Sequence, residues 1–176
     1  FGDVFLAIVI AHIANDVAAL EKAFGVTLTT DDIEPGNHLL AQFGNATTAV
    51  AYLSAVNWVH TWTRRVVSWW LPRDGKQGFD VLVTPTLAGP PPKIGALSGD
   101  DSTDRIREIM QYTAQFNMTG QPAISLPLHT SASGLPMGVQ FVGAPYREDL
   151  LIRLAAQIEA AAPWSSRRPE IGRAHV

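Results

Sequence analysis

Apolar positions recur along this chain with two different periods. From Phe5 to Phe24 no proline or glycine interrupts a strongly apolar run, which predicts a long helix stopped by Gly25. Thr29-Thr30-Asp31-Asp32 with Pro35-Gly36 forms a turn cluster, and a short helix over His38 to Phe43 follows. Between Thr48 and Leu71, Tyr52, Val56, Val59, Thr63, Val66 and Trp70 recur at steps of three and four. They share one helical face, widened by Ala55, Trp58, Trp62 and Trp69. This helix would be roughly 35 Å long, and Pro72 ends it because proline has no N–H to continue the ladder. The indoles could form a platform for a substrate, but their helical spacing favours packing in the core.

Beyond the polar loop Arg73–Gly78 the pattern changes. Phe79-Asp80-Val81-Leu82-Val83-Thr84 is a short apolar run that suits a strand covered on both faces, as in a parallel or mixed sheet. Pro85 stops it, and Gly89-Pro90-Pro91-Pro92 forces an extended path. Helical period returns from Asp104 to Gln115, with Ile106, Ile109, Met110 and Thr113 on one side, until Gly120 and Pro122 break it. Ile124, Leu126 and Leu128 alternate with Ser125 and Pro127, so a strand with one buried face follows. Pro127 cannot donate to a ladder and belongs at a strand end or an unpaired edge. His129 to Pro136 reads as an exposed turn, Met137 to Gly143 as the antiparallel return, and Glu148 to Ala161 as a last helix with Leu151, Leu154, Ala155 and Ile158 inward. The order of elements indicates an α/β layered protein. Residues 1–78 form a helical part, 79–162 a sheet-forming part and 163–176 a tail, disordered over Gly172–Val176.

Composition removes several classes of function. A chain of 176 residues, 47% apolar and 16% charged, suits one well-buried domain. A net charge of −3 gives no reason to expect nucleic acid, and Arg64-Arg65 and Arg167-Arg168 read as solvated pairs. The absence of cysteine excludes disulfides, thiol catalysis and thiolate metal sites. The apolar run Val4–Ala11 meets His12, Asn15 and Asp16 well short of the roughly 20 residues a membrane span needs. It also lacks a basic leader, so neither membrane nor signal peptide is expected and the cytoplasm is the expected compartment. His12, His38, His60, His129 and His175 show no ligand spacing, so no metal or other cofactor is expected. There is no phosphate-binding loop and no Gly-x-Ser-x-Gly elbow. Ser131 and Ser133 sit in a turn, where serine serves geometry, and no lysine is flanked by a suitable serine.

Four segments in order do carry a signal. They are Phe79–Thr86, ending in Thr84-Pro85-Thr86; Phe116–Pro127, containing Asn117, Gly120, Pro122 and Ala123; Gly134-Leu135-Pro136-Met137-Gly138-Val139-Gln140-Phe141-Val142-Gly143; and Glu148-Asp149-Leu150-Leu151 with the helix after it. Together they resemble the C-terminal region of the amidase signature family, which hydrolyses carboxamides. Ile33-Glu34-Pro35 and the long helix near Tyr52 add weaker support, towards the branch of bacterial amidases and cyclic-dimer amidases of nylon oligomers.

The resemblance implies part of an α/β/α fold with a mixed central sheet flanked by helices. It implies a Ser, a cis-Ser and a Lys as catalytic groups, the serines in a Gly-Ser-Ser-Gly-Gly-type loop. That loop does not occur in this chain, so no catalytic residue is assigned here. The chain begins at Phe1 without a methionine, as expected of the back part of a longer enzyme, and the N-terminal part would be its partner. What the resemblance leaves to this chain is the substrate-pocket wall: Met110, Tyr112, Thr113, Phe116 and Asn117. Each could instead be packing or capping. Members acting on glutamine hold its amino group with a carboxylate near this helix, whereas this chain has Ile109-Met110-Gln111. The expected substrate is therefore a small apolar or aryl amide. The alternatives are a truncated chain with a binding or scaffolding role and a fragment of a glutamine amidotransferase subunit. Self-association into a homo-oligomer is left open.

Overall fold

The computed structural model describes residues 1–72, 74–75, 77–97 and 102–167. Three helices come first: α1 (Gly2–Phe24), α2 (Pro35–Asn45) and α3 (Ala49–Val67), the last tightening into a 3-10 turn at Ser68–Trp70. Then come β1 (Val81–Pro85), α4 (Ser102–Met110), α5 (Ala114–Thr119), β2 (Ala123–Thr130), β3 (Pro136–Gly143) and α6 (Glu148–Ala161). The Arg167-Arg168 doublet, parts of the loop at 73–78 and the tail 172–176 lie wholly or partly outside the described residues.

The helical part is built around close contacts. Where α2 crosses α1, a Cβ at Gly44 would fall on the Ile10 carbonyl and lie 2.7 Å from the Ala14 Cβ. Only glycine lets the two backbones approach this closely. Thr48 caps α3, its Oγ1 accepting from the Ala51 N–H at 3.1 Å. The stripe expected on α3 holds: Tyr52, Val56, Val59, Thr63, Val66 and Trp70 are all buried or half-buried. The expectation that the tryptophans belong to the core does not hold for all of them. Trp70 is buried, but Trp58 and Trp69 remain 39% and 40% exposed. They stack instead on other rings, Trp58 on Trp62 and Trp69 on Phe79, with centroids 5.9 and 4.1 Å apart. Indoles spread this widely round one helix exceed what a single neighbour can cover.

By length and composition alone, α1 could cross a membrane, contrary to the expectation that His12, Asn15 and Asp16 cut it short. It packs against both α2 and α3, with Ala14 buried at the contact.

The sheet has the order β1-β3-β2 and is antiparallel throughout. This corrects the expectation for the strand at Phe79–Thr84. Among the described residues β1 lies at an edge, pairs with β3 alone and leaves Val83 exposed, so here it is not covered on both faces as a parallel strand would be. The α/β class stands; the part of the sheet carried here is antiparallel. β2 is the other edge, and its pairing slips between Leu126 and His129, which is where Pro127 is tolerated.

Register sorts the side chains. Val139 and Phe141 share a face with Leu126 and Ile124, and α6 covers it through Leu151, Leu154, Ala155 and Ile158. On the opposite face Val142, fully buried, packs with Trp70 and Phe116, flanked by Val66 and Leu82. Glu148 and Asp149 open α6, where negative charge suits the helix dipole. The Arg147 guanidinium bound to Asp149 at 3.0 Å holds that carboxyl below its usual range. Trp164 joins the α6 cluster, and Arg167 donates to the Pro127 carbonyl at 2.8 Å.

Candidate functional site

The helix expected over Asp104–Gln115 is broken, and the break creates the candidate site. α4 stops at Met110, residues 111–113 turn, and α5 starts at Ala114. In an unbroken helix the Tyr112 carbonyl would accept from the Phe116 N–H. That N–H goes to the Thr113 carbonyl at 3.1 Å instead. The freed Tyr112 carbonyl accepts from Gln140 Nε2 on β3 at 2.7 Å. A second hydrogen of the same amide goes to Thr84 Oγ1 on β1 at 2.9 Å. A carbonyl can only accept, so the amide nitrogen must face Tyr112. Gln140 is 5% exposed. It therefore ties the corner between α4 and α5 to two strands of the sheet.

The corner gathers the five residues assigned to the pocket wall but gives them different surroundings. Met110 faces a cavity of about 340 Å³ between the corner and α1, shared with Phe5, Leu6, Leu40 and Ala114. Arg107 also lines this cavity and is ion-paired to Asp104 at 3.3 Å. Tyr112 and Thr113 are half-buried at the turn, where the Thr113 N–H donates to the Met110 carbonyl at 3.0 Å. Asn117 is exposed. Phe116 is 5% exposed and set against Trp70 and Val142, so it packs beneath the corner and offers little surface to a ligand.

Sequence reasoning met the polar side chains under the corner as parts of the family-like segments and assigned them no role. Thr84, Gln140 and Ser125 occupy the sheet face opposite α6, in register with one another. Thr86 Oγ1, one residue past β1, and Ser125 Oγ on β2 lie 2.6 Å apart above Gly138 of the central strand. A Cβ on Gly138 would collide with Ser125 Oγ and come within 2.7 Å of Thr86 Oγ1. At the far end of β3, Gln121 is buried and donates to the Gly143 carbonyl at 3.0 Å while accepting from Thr119 Oγ1. The available signal was a lone glutamine amid Val139, Phe141 and Val142. A polar residue at a buried strand position must have partners. Ser131 and Ser133, by contrast, are absorbed by their turn: their hydroxyls lie 2.9 Å apart, and Ser131 Oγ accepts from the Leu135 N–H at 3.0 Å.

The amidase family model matches residues 8–152, most of the chain and all of the corner and sheet. The chain belongs to the amidase family. It is 35% identical to the 6-aminohexanoate-cyclic-dimer hydrolase of Pseudomonas sp. (strain NK87) over 177 residues, covering 95% of this chain and 35% of that relative. The hydrolase of the same name from Paenarthrobacter ureafaciens is 36% identical over 169 residues, covering 90% and 33%. A solved structure of 6-aminohexanoate cyclic dimer hydrolase superposes with a TM-score of 0.82 at 34% identity, over 93% of this chain and 35% of that one. The chain thus spans about a third of the length of these relatives. The amidase match takes in the α4–α5 corner, Gln140 and the Thr86–Ser125 bridge, which places these features within a family domain.

Proposed function

We propose that this chain is the C-terminal portion of an amidase that hydrolyses a carboxamide to a carboxylate and ammonia or an amine. Its part is the acyl-side pocket wall and the core beneath it; the nucleophile, base and oxyanion donors come from the rest of the enzyme. The wall comprises Met110, Tyr112, Thr113 and Asn117, with Phe116 as its buried support. The observation that carries this reading is the half-open apolar cavity against the corner, which Met110 alone of the five lines. A concave, mostly apolar recess with a few polar groups is the usual form of a small-molecule site.

The substrate is an apolar or aryl amide. Two features support this. The described lining of the cavity carries no carboxylate that could hold the ammonium of a glutamine substrate. The two similar hydrolases are named for a cyclic dimer of 6-aminohexanoate, an amide built of methylene chains.

The test is Met110→Ala in the complete amidase. Shortening an apolar side chain that contacts the substrate weakens ground and transition states alike, so KM for a bulky amide rises several-fold while kcat stays near its original value. Acetamide, too small to reach the wall, keeps its KM. An unchanged KM for bulky amides would show that Met110 lines something other than the substrate pocket.

A further inference from the structure

We propose that Gln140 is the positioning residue of the pocket wall, setting the wall's place through the Tyr112 carbonyl. The inference rests on the amidase reading above and goes beyond it by naming what fixes the wall. Three observations carry it. The break between α4 and α5 leaves the Tyr112 carbonyl without its helical partner, and Gln140 Nε2 fills the gap at 2.7 Å. The same nitrogen holds Thr84 Oγ1 at 2.9 Å, so both amide hydrogens are used and the side chain is fixed at three points: β3, β1 and the corner. Gln140 is buried, and its strand is the central one of the sheet, the most constrained place from which to aim a side chain.

Met110 and Ala114, on either side of Tyr112, face the cavity, while Phe116 faces the sheet. A shift of the Tyr112 carbonyl therefore moves cavity-lining side chains without touching any group that reacts. Gln140 acts on the substrate only through this turn.

Two variants of the complete amidase test the proposal against a role in folding alone. Gln140→Met keeps the length of the side chain and removes both donors. Thr84→Val removes one acceptor and leaves the bond to Tyr112 in place. A merely structural role would lower the fraction of active enzyme, so kcat would fall equally for every amide and KM would not move. The positioning role predicts that Gln140→Met raises KM for a bulky aryl amide about tenfold, the scale of one lost buried hydrogen bond. It also predicts KM for acetamide within about twofold of the parent in both variants, and for Thr84→Val a smaller rise in KM for the bulky amide than for Gln140→Met, because the bond to Tyr112 remains. A parent enzyme that turns over no amide would overturn the amidase reading and this proposal with it. An active parent whose variants lose kcat uniformly, or in which Thr84→Val matches Gln140→Met, would overturn the proposal alone.

Discussion

Gly138 and Phe116 show how much of the site is decided by single side chains. At Gly138 the central strand is bare so that the Thr86 and Ser125 hydroxyls can meet above it. Gly138→Ala forces that pair apart, and overpacking of this kind costs roughly 1–3 kcal/mol. Thermal unfolding of the complete amidase should show the loss, and adding Ser125→Ala should recover part of it. No recovery would mean the strain lies elsewhere. Phe116 sits between Trp70 and Val142. Phe116→Ala should cost roughly 3–5 kcal/mol of stability, the range for emptying a buried aromatic site. Because the ring packs beneath the corner, any change in KM should be smaller than that from Met110→Ala. A variant of full stability with a large KM effect for bulky amides would place the ring in the pocket instead.

At the scale of elements, periodicity revealed what local physics decides. The α3 stripe, the Gly25 stop of α1, the β2–β3 return and the span of α6 all follow from spacing, glycine and proline. What spacing could not show were features settled by partners distant in sequence. Asp104–Gln115 has helical period to its end, yet α4 stops at Met110, and a glutamine from β3 takes the Tyr112 carbonyl that the break leaves free. The apolar run of β1 looks doubly covered, but coverage depends on what packs over each face, and among the described residues Val83 is left exposed. The proposed wall residues form a contiguous segment that the amidase resemblance singled out. Their division between cavity and core was not legible, since Met110 and Phe116 are assigned by the turn between them. The element-scale prediction concerns that turn. In the complete amidase, Gln140→Met should speed amide hydrogen exchange over 111–116 while exchange in α6 stays slow. Equal acceleration in both would indicate general loosening of the sheet.

At the scale of the molecule, the chain has the surfaces of a part. The described residues leave Phe24, Val50, Leu53, Val83 and Ile152 exposed, and both outer edges of the sheet lack a strand partner among the described residues. Exposed edges and apolar patches favour association. Purified alone, the 176-residue chain should sediment as oligomers or aggregates and bind a hydrophobic dye. A monomer that unfolds cooperatively and binds no dye would argue for a self-sufficient domain. The central claim is that this chain supplies wall and core to an amidase and does no chemistry itself. Amide turnover by the isolated chain, measured beside the complete enzyme with benzamide and an aryl anilide, tests it most directly. The account predicts hydrolysis by the complete enzyme and none by the chain alone. Turnover by the isolated chain would contradict it. Loss of that turnover in Ser131→Ala or Ser133→Ala would identify a nucleophile in the turn, and its survival in both would place the catalytic group elsewhere in these residues.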